Sequence, residues 1–239
     1  MTHARWRALI LLGAALAGAV VVAFARSPGP QAREKAAPPT LLLITSLPLV
    51  FGEAFTVEGS GSLALQALRS RYRVLPISVT DEKELSKSQL LLMAHPIAQP
   101  AEDLVALDEW VRRGGRVLLL ADPMLDWPSS RPLGDPLRPP AMFMDTGLLK
   151  HWGLRLDAPD GRGLQLRKLG GRDVQTSSPG SLEGSCVISP DRLVARCRVG
   201  KGRATVVADA DLLDAEHLGH GAERNLDALL AELALLEGK

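Results

Sequence analysis

The fold is most legible in residues 102–125, EDLVALDEWVRRGGRVLLLADPML. Leu104, Leu107 and Val111 recur at helical spacing, Gly114 and Gly115 stop the helix, and Val117 to Ala121 is an unbroken apolar run that ends at Asp122-Pro123. A helix therefore feeds a strand that is apolar on both faces. Such a strand belongs inside a sheet covered by helices on both sides, which is the signature of a parallel α/β sheet.

Working outward, Leu41–Thr45, Arg73–Ser78 and Leu90–Ala94 read as further strands, and Leu63–Arg71 reads as a helix with Leu65 and Leu68 facing inward. Strands alternating with helices predict a doubly wound sheet with right-handed crossovers. On the C-terminal side, Asp126–Pro140 holds five prolines and no apolar period, so it reads as a long loop lying across the strand ends. Ala141–Trp152 reads as a helix closed by Gly153, and Leu154–Asp157 as a short strand. Residues 162–184 are rich in Gly and Ser and carry little signal. Ser185–Ser189 and Leu193–Val199 alternate around Pro190-Asp191-Arg192, the pattern of an antiparallel hairpin, and Gly200-Lys201-Gly202 turns the chain into another buried strand, Arg203–Ala208. Asn225–Leu236 is a helix with five leucines on one face and a polar opposite face, so it packs on the sheet and does not span a membrane.

The other end of the chain is different. Ala8–Ala25 is uncharged and apolar, close to the length that crosses a bilayer, with Arg5 and Arg7 before it. These arginines hold the N-terminus in the cytoplasm and send the rest across a bacterial inner membrane. Two fates stand open: a retained single-pass anchor with a periplasmic domain, or cleavage at the small-x-small sequence Ala23-Phe24-Ala25. Residues 1–26 are thus an anchor or signal segment, the proline-rich 27–40 a spacer, and 41–239 one α/β domain.

A formal net charge of +1 and only four Phe and one Tyr leave neither a field for a polyanion nor stacking platforms, which excludes a nucleic-acid partner. No P-loop motif is present. Gly59-Ser60-Gly61-Ser62-Leu63-Ala64 matches G-x-G-x-x-A, yet more than ten residues separate it from the first strand, so it reads as a helix start rather than a dinucleotide turn.

In open α/β sheets, functional groups collect at the carboxyl ends of the strands. Reading those ends gives Ser46, His95, Asp122, Asp209 and Asp211, with Asp214, His217 and His220 following. Ser46, His95 and Asp122 on one edge permit a hydrolase triad, although Ser46 stands in ITSLPL and not in a G-x-S-x-G elbow. The acidic run is read as turn-forming carboxylates, so neither a metal nor another cofactor is expected. Symmetric pairing of the hairpin sets Cys186 opposite Cys197, either as a disulfide in an oxidising compartment or as two buried thiols.

Four stretches carry a family resemblance: TSLPLVFGE, LDEWVRRGGRVLLLADPM, LLKHWGLRL and VGKGRATVVADADLLD. Together they resemble the GldG-like auxiliary domain of uncharacterised ABC-type transport systems. That resemblance implies a class I glutamine amidotransferase-like fold without its catalytic equipment, since Asp122 stands where such an enzyme carries its nucleophilic Cys. It further implies a non-enzymatic accessory or binding domain beside an ABC-type permease and ATPase. A hydrolase built on Ser46, His95 and Asp122 is the alternative.

Overall fold

The computed structural model describes residues 37–51 and 61–238. The apolar segment 8–25, most of the spacer, and Gly59-Ser60 of the glycine motif lie outside these residues. Among the described residues no helix is long and apolar enough to cross a membrane.

The first half of the domain alternates as its apolar runs require. Strand β1 (Thr40–Thr45) leads to helix α1 (Leu63–Arg71) and strand β2 (Arg73–Pro76). Helix α2 (Glu82–Leu85), strand β3 (Leu90–Ala94), helix α3 (Ala101–Arg112) and strand β4 (Arg116–Leu120) follow. Every residue of β3 is buried, as a central strand between two helical layers demands. Helix starts are capped locally: Ser62 Oγ accepts the Leu65 amide at 3.2 Å, and Asp81 Oδ1 accepts the Glu84 amide at 2.7 Å. Helix α3 buries Leu107, Trp110 and Val111, and it ends where Gly114 takes φ 123°, a backbone that other residues avoid.

The main sheet has seven strands in the order β2-β1-β3-β4-β11-β10-β9, where β9 is Val187–Ile188, β10 is Val194–Val199 and β11 is Gly202–Val207. Strands β2, β1, β3, β4 and β11 run parallel, and β10 and β9 return antiparallel. The chain leaves β1 first toward β2 and then toward β3, so the order reverses between β1 and β3. Gly202 lets β11 close on the end of α3: a Cβ there would collide with the carbonyl oxygens of Val111 and Gly115. Lys201 N–H and Arg203 N–H instead bond Arg112 O at 2.9 Å and Gly115 O at 3.2 Å.

Between β4 and β9 the chain makes an excursion from the sheet. Helix α4 (Leu148–His151) precedes β5 (Leu154–Asp157), which pairs antiparallel with β8 (Ser181–Gly184). Between them β6 (Leu164–Leu169) and β7 (Arg172–Ser177) form a hairpin whose two-residue turn, Gly170-Gly171, takes φ 60° and 82°. Helix α5 (Glu223–Glu237) closes the domain, burying Leu226, Leu229, Leu230, Leu233 and Leu236. Each buried leucine contributes about 1.5–3 kcal/mol relative to exposure. Buried Glu232 on α5 receives Arg196 of β10 in a two-pronged contact, Nε at 2.8 Å and Nη2 at 2.5 Å.

Two sequence expectations need correction. The helix expected over Ala141–Trp152 shrinks to Leu148–His151, because Ala141 O accepts Leu125 N–H at 2.9 Å, Phe143 N–H donates to Asp122 O at 2.6 Å, Gly147 takes φ 110°, and Asp145 Oδ1 accepts Gly147 N–H at 3.0 Å before the helix start. Residues 162–184 hold three strands, which the apolar pattern hid because Leu164 and Leu166 face outward. At the expected hairpin, Cys186 and Cys197 are bridged, with Cα atoms 4.8 Å apart, beside the pairs Val187–Arg196 and Ile188–Ala195.

Candidate functional site: the carboxyl edge of the sheet

The parallel strands deliver Ser46, His95, Asp122 and Asp209 to one edge, each at or just beyond a strand end. Ser46 and His95 flank the point where strand order reverses, the usual ligand crevice of such sheets. They meet through the backbone. Ser46 Oγ donates to the carbonyl oxygen of His95 at 2.5 Å, and the Ser46 amide reaches the same oxygen at 3.4 Å.

His95 is fully buried and takes φ 47°, a left-handed backbone uncommon for a residue with a Cβ. Its Nε2–H donates to Pro140 O at 2.8 Å, which fixes the neutral tautomer and ties the proline-rich loop to the end of β3. Nδ1 is buried and has no partner among the described residues. Burial pushes the His95 pKa below its ordinary value, opposed by the Pro140 hydrogen bond.

Asp122 follows β4 and is also fully buried. Its Oδ1 accepts the Met124 amide at 2.8 Å, and its Oδ2 accepts those of Ala210 at 2.8 Å and Asp211 at 3.4 Å. Serine, histidine and aspartate therefore share an edge without a relay, because the Ser46 hydroxyl, the His95 Nε2–H and both Asp122 oxygens are engaged with main chain. A triad needs the hydroxyl on the imidazole and the imidazole on the carboxylate.

Asp122, Asp209 and Asp211 bring carboxylate oxygens within 4.8 Å of one another, all three residues buried. Five of the six oxygens accept a backbone N–H: besides those above, Asp209 takes Ser177 at 3.1 Å and Leu212 at 2.8 Å, and Asp211 takes Asp126 at 2.8 Å. Burial first, then neighbouring carboxylates, raises their proton affinity: Asp122 acts on Asp209 and Asp211, and Asp126 acts on Asp122. Asp211 is pushed up to about 8, Asp122 to about 6, and Asp209 well above the carboxylate range. Three hard oxygen donors are of the kind a divalent cation takes. Their amide partners make them a hub that joins the end of β4, the start of the long loop, β7 and the turn after β11.

The residues behind the hub do not join it. Exposed His217 sets Nδ1 2.7 Å from Oδ1 of buried Asp214, and His220 is exposed. Asp126, in contrast, was not singled out from sequence, yet its Oδ2 accepts the hydroxyls of Ser177 at 2.8 Å and Ser178 at 2.6 Å. Its partners lie more than fifty positions away, so no local pattern could reveal them. Beside Ser46, a cleft of about 300 Å³ opens at the ends of β1 and β2, lined by Thr45, Leu47, Phe51 and Ile77 and roofed by Arg131 and Leu137 of the proline-rich loop.

A family model described as an ABC-type uncharacterized transport system matches residues 38–159, just over half of the chain. Among solved structures, the chain is similar to the exo-β-1,4-mannosidase Op5Man5 from Opitutaceae bacterium strain TAV5, with TM-score 0.53, 16% identity, and coverage of 82% of this chain and 36% of that enzyme. It is also similar to Gan42B, a GH42 β-galactosidase from G. stearothermophilus, with TM-score 0.50, 14% identity, and coverage of 84% and 30%. The chain spans about a third of the length of these glycosidases, and at such identity the likeness is one of fold alone. No curated protein sequence is a significant match.

Proposed function

Because the chain belongs to the family of ABC-type uncharacterized transport systems, we propose that it is a non-enzymatic accessory domain of such a system, tethered by residues 8–25 and held outside the cytoplasm. One observation carries the non-enzymatic part: the Ser46 hydroxyl, the His95 Nε2–H and the Asp122 carboxylate are all engaged with backbone groups. What they support is the shape of the carboxyl edge, and that edge is the ligand- or partner-facing surface in this reading. Exposed Phe51, Ile97, Met142 and Met144 there supply the apolar contact area that a partner protein would cover. The finer fold reading, a class I glutamine amidotransferase-like sheet without its nucleophile, is supported by Asp122 standing after β4 with its oxygens taken by amides.

Location outside the cytoplasm is supported by Arg5 and Arg7 ahead of the apolar segment and by the Cys186–Cys197 bridge, since disulfides persist in oxidising compartments. Alkaline phosphatase fused after Lys239 tests it. An active phosphatase is expected. An inactive one, together with a fluorescent cytoplasmic reporter at the same point, contradicts the reading.

A further inference from the structure

The β6–β7 hairpin has two outer edges, and the protein treats them differently. Inside the hairpin the odd-numbered residues of β6 face β7, as the Ser178 N–H to Gly163 O bond of 2.9 Å at its open end fixes. The even-numbered residues of β6 and the odd-numbered residues of β7 therefore turn their backbone groups outward. On β7 those groups are covered. Asn225 accepts the Gln175 amide at 2.8 Å and donates to its carbonyl at 2.7 Å, and Asp209 accepts the Ser177 amide. On β6, among the described residues, only Lys168 is covered, by Asp191 Oδ2 at 2.8 Å. Among the described residues, no strand lies on the outer side of β6, and the outward groups of Leu164 and Leu166 have no protein partner.

The side chains repeat the pattern. Leu164 and Leu166 are 65% and 72% exposed, two residues apart on one face of an edge strand, where proteins ordinarily set charges. Leu166 borders a groove of about 720 Å³ whose opposite wall is β9, the edge strand of the main sheet, with Val187 74% exposed. Ser189 N–H bonds Val194 O at 2.8 Å toward β10, so Ile188 turns its backbone groups away from β10 and into this side. A concave surface is thus bordered by unpaired strand edges and apolar side chains.

Its charge selects the occupant. Lys168 is neutralised by Asp173 and Arg196 by Glu232, whereas Arg167 bonds Gln165 Oε1 and, among the described residues, forms no ion pair. The groove is lined by Arg167, Lys168 and Arg196 against Asp173 and Asp191, and the Asp191 carboxylate is already held by the Lys168 amide and the Ser189 hydroxyl, which leaves the Arg167 guanidinium as the charge open to a ligand. A second copy would set one basic β6 edge against another. We propose that the groove binds an extended segment of a partner protein, with alternating apolar residues and acidic flanks, by strand addition to β6. Main-chain hydrogen bonds to Leu164 and Leu166 supply affinity, the leucines and Val187 take alternate side chains, and Arg167 reads a carboxylate.

The test uses the full chain in detergent and an end-blocked octapeptide alternating valine and glutamate. Amide hydrogen exchange of Leu164 and Leu166 should slow at least about tenfold at saturating peptide. The same peptide N-methylated on its pairing edge, or carrying lysine for glutamate, should give no slowing. Leu166→Pro removes an outward N–H that the hairpin does not use, and proline is tolerated on an edge strand. That variant should lose peptide binding while the inward amide of Val174 keeps its protection. Arg167→Glu should reverse the preference toward the lysine peptide. Unchanged exchange at Leu164 and Leu166, or equal binding of the N-methylated peptide, overturns the proposal. Protection that rises with protein concentration in the absence of peptide overturns it too, by identifying a second copy as the occupant.

Discussion

Asp122 Oδ2 accepts the amide of Ala210 at 2.8 Å, across 88 positions of sequence. One buried carboxylate thereby joins the end of β4 to the turn after β11. Leaving a buried donor unpaired typically costs about 1–3 kcal/mol. Asp122→Asn keeps one acceptor oxygen and should lower stability modestly in urea unfolding at pH 5, where the buried carboxyl holds its proton. Asp122→Leu strands the Met124, Ala210 and Asp211 amides and should cost clearly more. Equal midpoints for wild type and Asp122→Leu would remove the hub from the account.

The hub also sets a pH dependence. Asp211, pushed up to about 8, holds its proton more tightly folded than unfolded, where its value is 3.8. The folded state therefore binds more protons between these values, so this contribution is complete below about pH 4 and is lost as pH rises through about 8. Asp122, at about 6, acts in the same direction over a lower window. The lowered pKa of His95 acts oppositely, withdrawing stability as pH falls below the ordinary histidine value of 6.5. Asp211→Asn should raise the melting temperature at pH 9 more than at pH 5. A parallel shift at both values contradicts the assignment.

Legibility in sequence followed the range of the forces involved. The strand Leu90–Ala94 and the helix Leu63–Arg71 were readable because apolar periodicity and capping are local. Hairpin symmetry alone sets Cys186 opposite Cys197, but it leaves a bridge and two buried thiols equally open, and the structure has the bridge. Strands β6 and β7 were not readable, since their alternation points leucines to solvent and their outer hydrogen bonds come from Asp191 and Asn225 far along the chain. For the site, Ser46, His95, Asp122, Asp209 and Asp211 follow from the strand ends. Which atom each one bonds does not, because a backbone oxygen such as His95 O competes for a hydroxyl as well as any ring nitrogen does.

His95 anchors the proline-rich loop through Pro140. His95→Asn tolerates the left-handed backbone better than most residues but is too short to replace the imidazole. It should speed chymotryptic cleavage after the exposed Leu133 and Leu137 at least several-fold while circular dichroism stays unchanged. An unchanged cleavage rate would show that the Pro140 contact does not hold the loop.

The disulfide closes a separation of 11 residues. Loop-closure entropy assigns such a bridge about 2–3 kcal/mol through the unfolded state. Cys186→Ala with Cys197→Ala should lower the unfolding free energy by that order, and exported wild-type protein should be lighter than its reduced form by two hydrogens. Labelling of both thiols in freshly unfolded, unreduced protein contradicts this.

As an accessory component of an ABC-type transport system, the role we propose, the chain would act by holding partner subunits and not by catalysis. The most direct measurement is purification of the full-length chain from its native membranes in mild detergent, with mass spectrometry of what accompanies it. The account predicts an ABC ATPase and a permease at constant ratio to the chain through a second, orthogonal purification step. A chain that emerges alone, with a hydrolytic activity abolished by Ser46→Ala, would contradict it.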